Sequence, residues 1–89
     1  MATPAPSDPE VEGFLALLAA RRAPKTVDAY RRDLRALGDW LGGPPSKATN
    51  EDLERWLAEL RAAGLSPATI ARRVAAVRSF FRHLVLLGA

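Results

Sequence analysis

The stretch from Ser66 to Leu87 carries the residues whose chemistry is easiest to interpret, because its arginines stand among very small side chains. An arginine side chain is a planar, permanently charged fork that matches a phosphate group or the edge of a guanine base. From Leu60 to the end of the chain there are five arginines and no acidic residue. Small neighbours allow a helix to come close to another surface. This segment therefore predicts binding to an anionic partner, and a DNA groove fits best.

Side chains that could make or break covalent bonds are scarce in this sequence. Its single tyrosine is Tyr30, its single histidine is His83, and it has no cysteine. No carboxylate pair, glycine-rich phosphate loop or metal-ligand spacing accompanies them. Tyr30 also falls on an apolar helix stripe, which is a poor place for a nucleophile. The sequence predicts a binding domain that is not an enzyme by itself and that uses no cofactor and no metal.

The composition indicates one small globular domain with an uneven distribution of charge. The chain has 89 residues, of which 48% are hydrophobic and 26% charged, and its net charge is +3. These proportions are ordinary for a folded domain. Basic residues gather at 21–35 and 61–82, whereas acidic residues gather before residue 13 and at 51–59. The pattern favours one basic face and one acidic face.

Glycine and proline residues divide the chain into four helical segments. Proline marks the start of three segments, glycine marks the end of two, and Thr49 with Asp52 has the spacing of a capping box. No segment alternates with the two-residue period of a strand. The predicted fold class is all-α, a four-helix bundle. Its helices are expected at 9–21, 24–41, 50–63 and 66–87, after a disordered tail at residues 1–7.

Each predicted helix has an apolar stripe at three- and four-residue spacing, which is typical of a buried face. On the fourth helix, Arg72 is expected to point away from the core, and Arg78 to lie along the protein. The outer face of that helix is expected to hold Ala68, Arg72, Ala75, Ala76 and Ser79. Leu17 is expected off the stripe of the first helix, and Phe80 and Leu87 are expected to flank the core face of the fourth, where the three could form small apolar patches. The expected core is Val11, Phe14, Leu15, Leu18, Val27, Tyr30, Leu34, Leu37, Leu41, Leu53, Trp56, Leu57, Leu60, Ile70, Val74, Val77, Phe81 and Leu84.

Four pieces of the chain form an ordered set of helix patterns. They are TVDAYRRDL at 26–34, TNEDL at 49–53, LRAAGLSPATIAR at 60–72 and VRSFFR at 77–82. In this order and spacing they resemble the N-terminal core-binding domain of tyrosine recombinases, a group that includes bacterial Xer-type enzymes and phage integrases. The resemblance covers residues 9–88. It implies a SAM-like bundle that clamps duplex DNA opposite a catalytic domain, during DNA integration or chromosome-dimer resolution. Residues 8–89 are expected to be the binding domain alone.

The resemblance also implies which residues contact DNA. In the family, threonines near the starts of helices two and four, here Thr26 and Thr69, contact phosphate, as does the position of Arg32. Other positions face base edges, and they match Asp28, Ala29, Ala68 and Arg72. The helical wheel separately places Arg32 and Arg72 outwards, and Arg72 has no acid within a turn on its own helix. Arg72 is therefore expected to matter most, and its removal is expected to leave the core intact. The expected DNA-binding residues are Lys25, Thr26, Ala29, Arg32, Ala68, Thr69, Arg72 and Arg73.

The implied partners are double-stranded DNA and, in a full-length recombinase, further recombinase subunits in a DNA-bound tetramer. Asp28 does not favour DNA contact, and Ala29 and Ala68 offer only a methyl group, so phosphate contacts are expected to dominate binding. The isolated domain is expected to be a monomer. No apolar run reaches the roughly 18 residues of a membrane span, and no secretion signal is present. The expected location is the bacterial cytoplasm, at the nucleoid when DNA is bound.

Two other function classes remain open from the residues. One is a stand-alone helical module that binds proteins, with the exposed Leu17 as part of a docking surface. The other is a DNA-binding regulator of helix-turn-helix type, although the segment before its turn is acidic. The basic residues of the second helix also have a purely structural interpretation. Arg31, Arg32 and Arg35 could form a solvated face paired with Asp28 and Asp39.

Overall fold

The computed structural model describes residues 8–87, which form four α-helices, and no β-strand occurs within that range. The helices are α1 (Pro9–Ala19), α2 (Pro24–Leu41), α3 (Asn50–Ala62) and α4 (Pro67–Leu86). A short 3₁₀ turn, Pro45–Lys47, lies between α2 and α3 and was not predicted from the sequence. The all-α class and the four helices are confirmed. The tail predicted at 1–7 lies outside the described residues.

Side-chain caps determine where three of these helices begin. The Asp8 carboxylate accepts a hydrogen bond from the Glu10 amide at 3.0 Å and so caps α1. Thr49 and Asp52 form the predicted reciprocal capping box at the start of α3. The Ser66 hydroxyl accepts from the amide of Thr69 at 3.2 Å and caps α4. These caps satisfy amides that have no partner within the first turn.

Left-handed glycines follow the ends of two helices. Gly42 (φ 75°) follows α2, and Gly64 (φ 77°) comes two residues after the end of α3. Only glycine adopts this backbone conformation without a steric cost. The two predicted helix ends are therefore confirmed, and the chain turns sharply enough for α2 and α4 to pack together. That pair forms the most extensive helix contact in the described residues.

The core lies where α1, α2 and α4 meet, and α3 covers one side of it. The Phe14 and Phe80 rings pack edge to face with their centroids 5.7 Å apart. Trp56 of α3 is 3% exposed, as predicted for a core aromatic. The buried apolar residues are Val11, Phe14, Leu15, Leu18, Val27, Leu34, Leu37, Trp56, Leu60, Ala76, Val77, Phe80 and Leu84. Seven further expected core residues are only half-buried: Tyr30, Leu41, Leu53, Leu57, Ile70, Val74 and Phe81.

The buried face of α4 differs from the predicted one. Ala76 and Phe80 are completely buried, although Ala76 was expected on the outer face and Phe80 at the edge of the core face, and Phe81 is only half-buried. With about 100° of rotation per residue, the true face is displaced by roughly 60° from the predicted stripe. A wheel that counts only large apolar residues misses Ala76, whose small side chain allows close helix packing.

The displacement also reverses the expectation for Arg78. This side chain was expected to lie along the protein, but the residue is exposed, and no ion pair involves it within residues 8–87. Phe80 is likewise no surface patch. Leu17 and Leu87, by contrast, are exposed as predicted. Within the described part of the chain, none of the helices combines the length and the apolar character needed to cross a bilayer.

Candidate nucleic-acid interface

A buried carboxylate links the two helices that were expected to contact DNA. Asp33 of α2 is 1% exposed. The Arg72 guanidinium donates to it twice, from Nε to Oδ2 at 2.9 Å and from Nη2 to Oδ1 at 2.9 Å. The Arg72 side chain is 44% exposed, so one edge of the fork faces the protein interior while the rest reaches solvent. Asp33 was not among the predicted site residues.

Arg73 is the third charged residue of a cluster with Asp33 and Arg72. Its Nε lies 3.7 Å from Asp33 Oδ1 and has no hydrogen-bond partner within the described residues, although the atom is buried. Its guanidinium carbon lies 6.0 Å from the centroid of the Trp56 ring, in the range of a cation–π contact. The cluster therefore contains two guanidinium groups and one carboxylate. One positive charge is left over beside the solvent.

The Asp33–Arg72 pair also brings neighbouring predicted residues together. Ala29 and Arg32 lie within one turn of Asp33, and Ala68 and Thr69 lie within one turn of Arg72. Arg32 and Ala68 are exposed, whereas Ala29 and Thr69 are half-buried. We refer to this region as the α2–α4 seam. It consists of Ala29, Arg32, Asp33, Ala68, Thr69, Arg72 and Arg73.

The other two predicted residues stand at the start of α2, about two turns before Asp33. Lys25 is exposed and Thr26 is half-buried. Ala23, the residue before the helix, offers no side-chain cap to the first-turn amides. The positive end of the helix dipole is therefore not neutralised by a cap there. For all eight predicted residues, contact with DNA stays a prediction.

The environment of Arg72 corrects one expectation. No acid lies within a turn on α4, but one reaches Arg72 from α2, which is 39 residues earlier in sequence. The hydrogen bonds and the charge of Asp33 raise the pKa of Arg72 above its usual value, so the guanidinium stays charged. Replacing Arg72 would leave a buried carboxylate short of a partner, so its removal would disturb the interior.

The exposed face of α2 carries basic residues that are free of ion pairs. Within residues 8–87, no ion pair involves Lys25, Arg32 or Arg35, and none forms with Asp28 or Asp39. Arg31 instead binds Glu12 of α1 at 3.1 Å. The structural interpretation, in which Asp28 and Asp39 neutralise this face, therefore has no support in the ion pairs of the structure.

First-turn charges separate the helices into two kinds. The first turns of α1 and α3 carry acids, Glu10 and Glu12 in one and Glu51 and Asp52 in the other. The first turns of α2 and α4 carry none. Helix α4 has no acidic residue at all along its length. The net positive charge of the four helices is therefore carried by α4 and, less strongly, by α2, and the dipoles at the starts of both helices add to it.

The single tyrosine and the single histidine of the sequence both pack partly against the core. Tyr30 is half-buried against the core. His83 is half-buried, with its ring centroid 5.4 Å from that of Phe14. Both residues lie on the core side of their helices and outside the α2–α4 seam.

Comparisons with known proteins place the chain in a family. The family model for the phage integrase N-terminal SAM-like domain matches residues 11–88. Tyrosine recombinase XerD of Bradyrhizobium diazoefficiens is 38% identical over 86 residues, covering 90% of this chain and 27% of the relative. Tyrosine recombinase XerC of Chromohalobacter salexigens is 42% identical over 82 residues, covering 88% of this chain and 28% of the relative.

A third relative, tyrosine recombinase XerC of Roseiflexus castenholzii, is 41% identical over 85 residues, covering 89% of this chain and 27% of the relative. The chain thus spans little more than a quarter of the length of these curated relatives. No solved structure matches the chain. The extent of the family match and the identity to the Xer proteins show that the chain belongs to the phage integrase N-terminal SAM-like domain family.

Proposed function

We propose that this domain binds duplex DNA through α2 and α4, with the α2–α4 seam at the centre of the contact. In this proposal it holds DNA for a tyrosine recombinase whose bond-breaking residues come from other sequence. The observation that carries the proposal is the charge of the helix starts. Of the four α-helices within residues 8–87, only α2 and α4 begin without acids, and both carry exposed basic side chains. A phosphate oxygen is the anion that fits such helix ends.

The composition of the seam supports mainly phosphate-driven binding. Arg32 and the outer edge of Arg72 supply charge, and Thr69 supplies a hydroxyl at the start of α4. Ala29 and Ala68 can offer only a methyl group to a base. Contacts of this kind fix the position of a protein on a duplex but discriminate poorly between sequences. Affinity should therefore fall steeply as salt concentration rises.

The test is titration of a mixed-sequence DNA duplex into the domain, with binding measured at several salt concentrations. Arg32→Ala should weaken binding and make the plot of log affinity against log salt shallower by about one, the loss of one phosphate contact. Arg61→Ala is the matched control. Arg61 is an exposed arginine on α3 without an ion pair in the described residues, and its loss changes net charge equally.

The outcome of this comparison separates a local contact from general charge attraction. If Arg32→Ala and Arg61→Ala weaken binding equally, DNA is attracted by net charge and the assignment to α2 and α4 fails. If the domain does not bind duplex DNA at low salt at all, the proposed function fails.

A further inference from the structure

We infer that Asp33 is a positioning residue for DNA binding, because its carboxylate holds one edge of Arg72 and thereby aims the remaining donors outwards. This inference rests on the proposed function. Asp33 and DNA are both negatively charged, so the charge of Asp33 alone would weaken DNA binding. In this inference the buried acid nevertheless supports binding. Asp33 would touch no DNA and would act only through Arg72.

The hydrogen bonds of Arg72 determine which donors remain free. A guanidinium has five N–H donors in a fixed plane. Asp33 takes the Nε donor and one Nη2 donor, which form one edge of the fork. Three donors remain, two on Nη1 and one on Nη2, and one from each of these nitrogens points off the end of the fork. That end can still bind one phosphate or two acceptors on a base edge.

The surroundings of Asp33 keep this arrangement in place. Asp33 is 1% exposed, so water has little access to compete for its oxygens. Ala76, one turn after Arg72, is completely buried and lets α4 approach its neighbours closely. Arg73 supplies a second positive charge 3.7 Å from Asp33 and rests against Trp56. A flexible side chain that is held in one orientation loses less freedom when it binds.

Asp33→Asn tests the positioning role, because positioning and simple charge repulsion predict opposite changes in DNA affinity. On electrostatic grounds alone, Asp33→Asn removes a negative charge near the DNA and should tighten binding. If Asp33 positions Arg72, the same change should weaken binding by about tenfold, the equivalent of one hydrogen bond from a charged donor. Binding would be measured by fluorescence anisotropy with a labelled mixed-sequence duplex at low salt. Asp28→Asn, an exposed acid on the same helix, is the matched control and should bind as well as wild type or better.

A second background separates positioning from fold maintenance. In an Arg72→Ala background, Asp33→Asn should cause no additional loss of DNA affinity, because the side chain that it positions is gone. A purely structural role would reduce thermal stability and would leave the DNA affinity of the folded fraction unchanged by Asp33→Asn in the wild-type background. Circular dichroism at the binding temperature would establish that each variant is folded.

Arg72→Lys provides the test if Asp33→Asn does not fold. Lysine keeps the positive charge but cannot form the two-pronged contact with Asp33. Binding should weaken by about tenfold, as for loss of one charge-assisted hydrogen bond. If Arg72→Lys binds as wild type, or if Asp33→Asn and Asp28→Asn tighten binding equally, positioning by Asp33 is refuted. If Arg32→Ala also leaves binding unchanged, the proposed function fails together with this inference.

Discussion

Helices α1 and α3 carry carboxylates in their first turns, whereas the first turns of helices α2 and α4 carry no acid. We call them the acidic pair and the basic pair. In the acidic pair, the positive end of the helix dipole is balanced by side chains of the same helix. In the basic pair no acid in the first turn of the same helix balances it. The charges at helix starts thus distinguish the two helices that only support the fold from the two that, in the proposed function, also face DNA.

Trp56 gives the largest expected effect on stability, because it is the buried aromatic by which α3 joins the core. Trp56→Ala should reduce the free energy of unfolding by about 3–5 kcal/mol, through lost burial and the cavity left behind. Chemical denaturation would measure it. Trp56→Phe should cost less, since it keeps an aromatic ring near Arg73. A loss for Trp56→Ala below about 1 kcal/mol, the scale of surface changes, would contradict a core role for α3.

Reversal of the charge of Lys25, the second residue of α2, tests the difference between the acidic pair and the basic pair directly. Lys25→Glu places an acid in the first turn of α2, which should stabilise the helix by about 0.3–1 kcal/mol. The same change should weaken DNA binding, because it replaces a positive charge with a negative one near the phosphates. Thermal unfolding would show the gain in stability, and titration followed by fluorescence anisotropy would show the loss of DNA affinity.

Glu51 occupies the same position in α3 and provides the mirror control. Glu51→Lys should destabilise the fold by a similar amount without a comparable gain in DNA affinity. If it tightened binding as much as Lys25→Glu weakened it, the acidic pair would also lie against the DNA. The division between the two pairs would then be wrong.

The smallest expected effect is a pH dependence confined to the acidic pair. The hydrogen bond from the Thr49 amide, supported by the Thr49 hydroxyl and Arg55, lowers the pKa of Asp52 below its usual 3.8. Because the folded pKa is the lower one, this stabilisation is present above 3.8 and is lost as pH falls through the folded value. Denaturant unfolding between about pH 5 and about pH 2 should show a weaker dependence for Asp52→Asn than for wild type. Ser66→Ala should shift stability equally at every pH, since the α4 cap has no titrating group.

The sequence was sufficient for the helices and their caps, because both depend on nearby residues. The Thr49–Asp52 box and the glycines after α2 and α3 are local signals, and each is where it was predicted. The predicted buried face of α4 was wrong because Phe80 and Phe81 are adjacent and equally apolar. Only the packing of Phe80 against Phe14 determines which of the two is buried.

The Asp33–Arg72 pair was missed for a related reason. Periodicity assigns an aspartate to the solvent, and the two residues come within hydrogen-bonding distance only after α2 and α4 have packed. On α2, the small side chain of Ala36 also packs against the core. Large apolar residues fix a helix face only approximately, whereas the seam depends on small and charged residues at the edges of the stripes.

The double hydrogen bond of Asp8 has a consequence for how the chain enters and leaves the bundle. Besides capping α1, this carboxylate accepts from the Ser46 amide at 3.2 Å. Glu10 and Ser46 in turn share a shallow pocket with Leu84 and Val85 near the end of α4. The start of α1 and the end of α4 therefore lie on the same side of the bundle. Arg72 lies 13 residues before Val85, about 20 Å away along the helix axis. A segment attached at either end of the described chain would therefore pull on this side of the bundle. The α2–α4 seam lies well away from it.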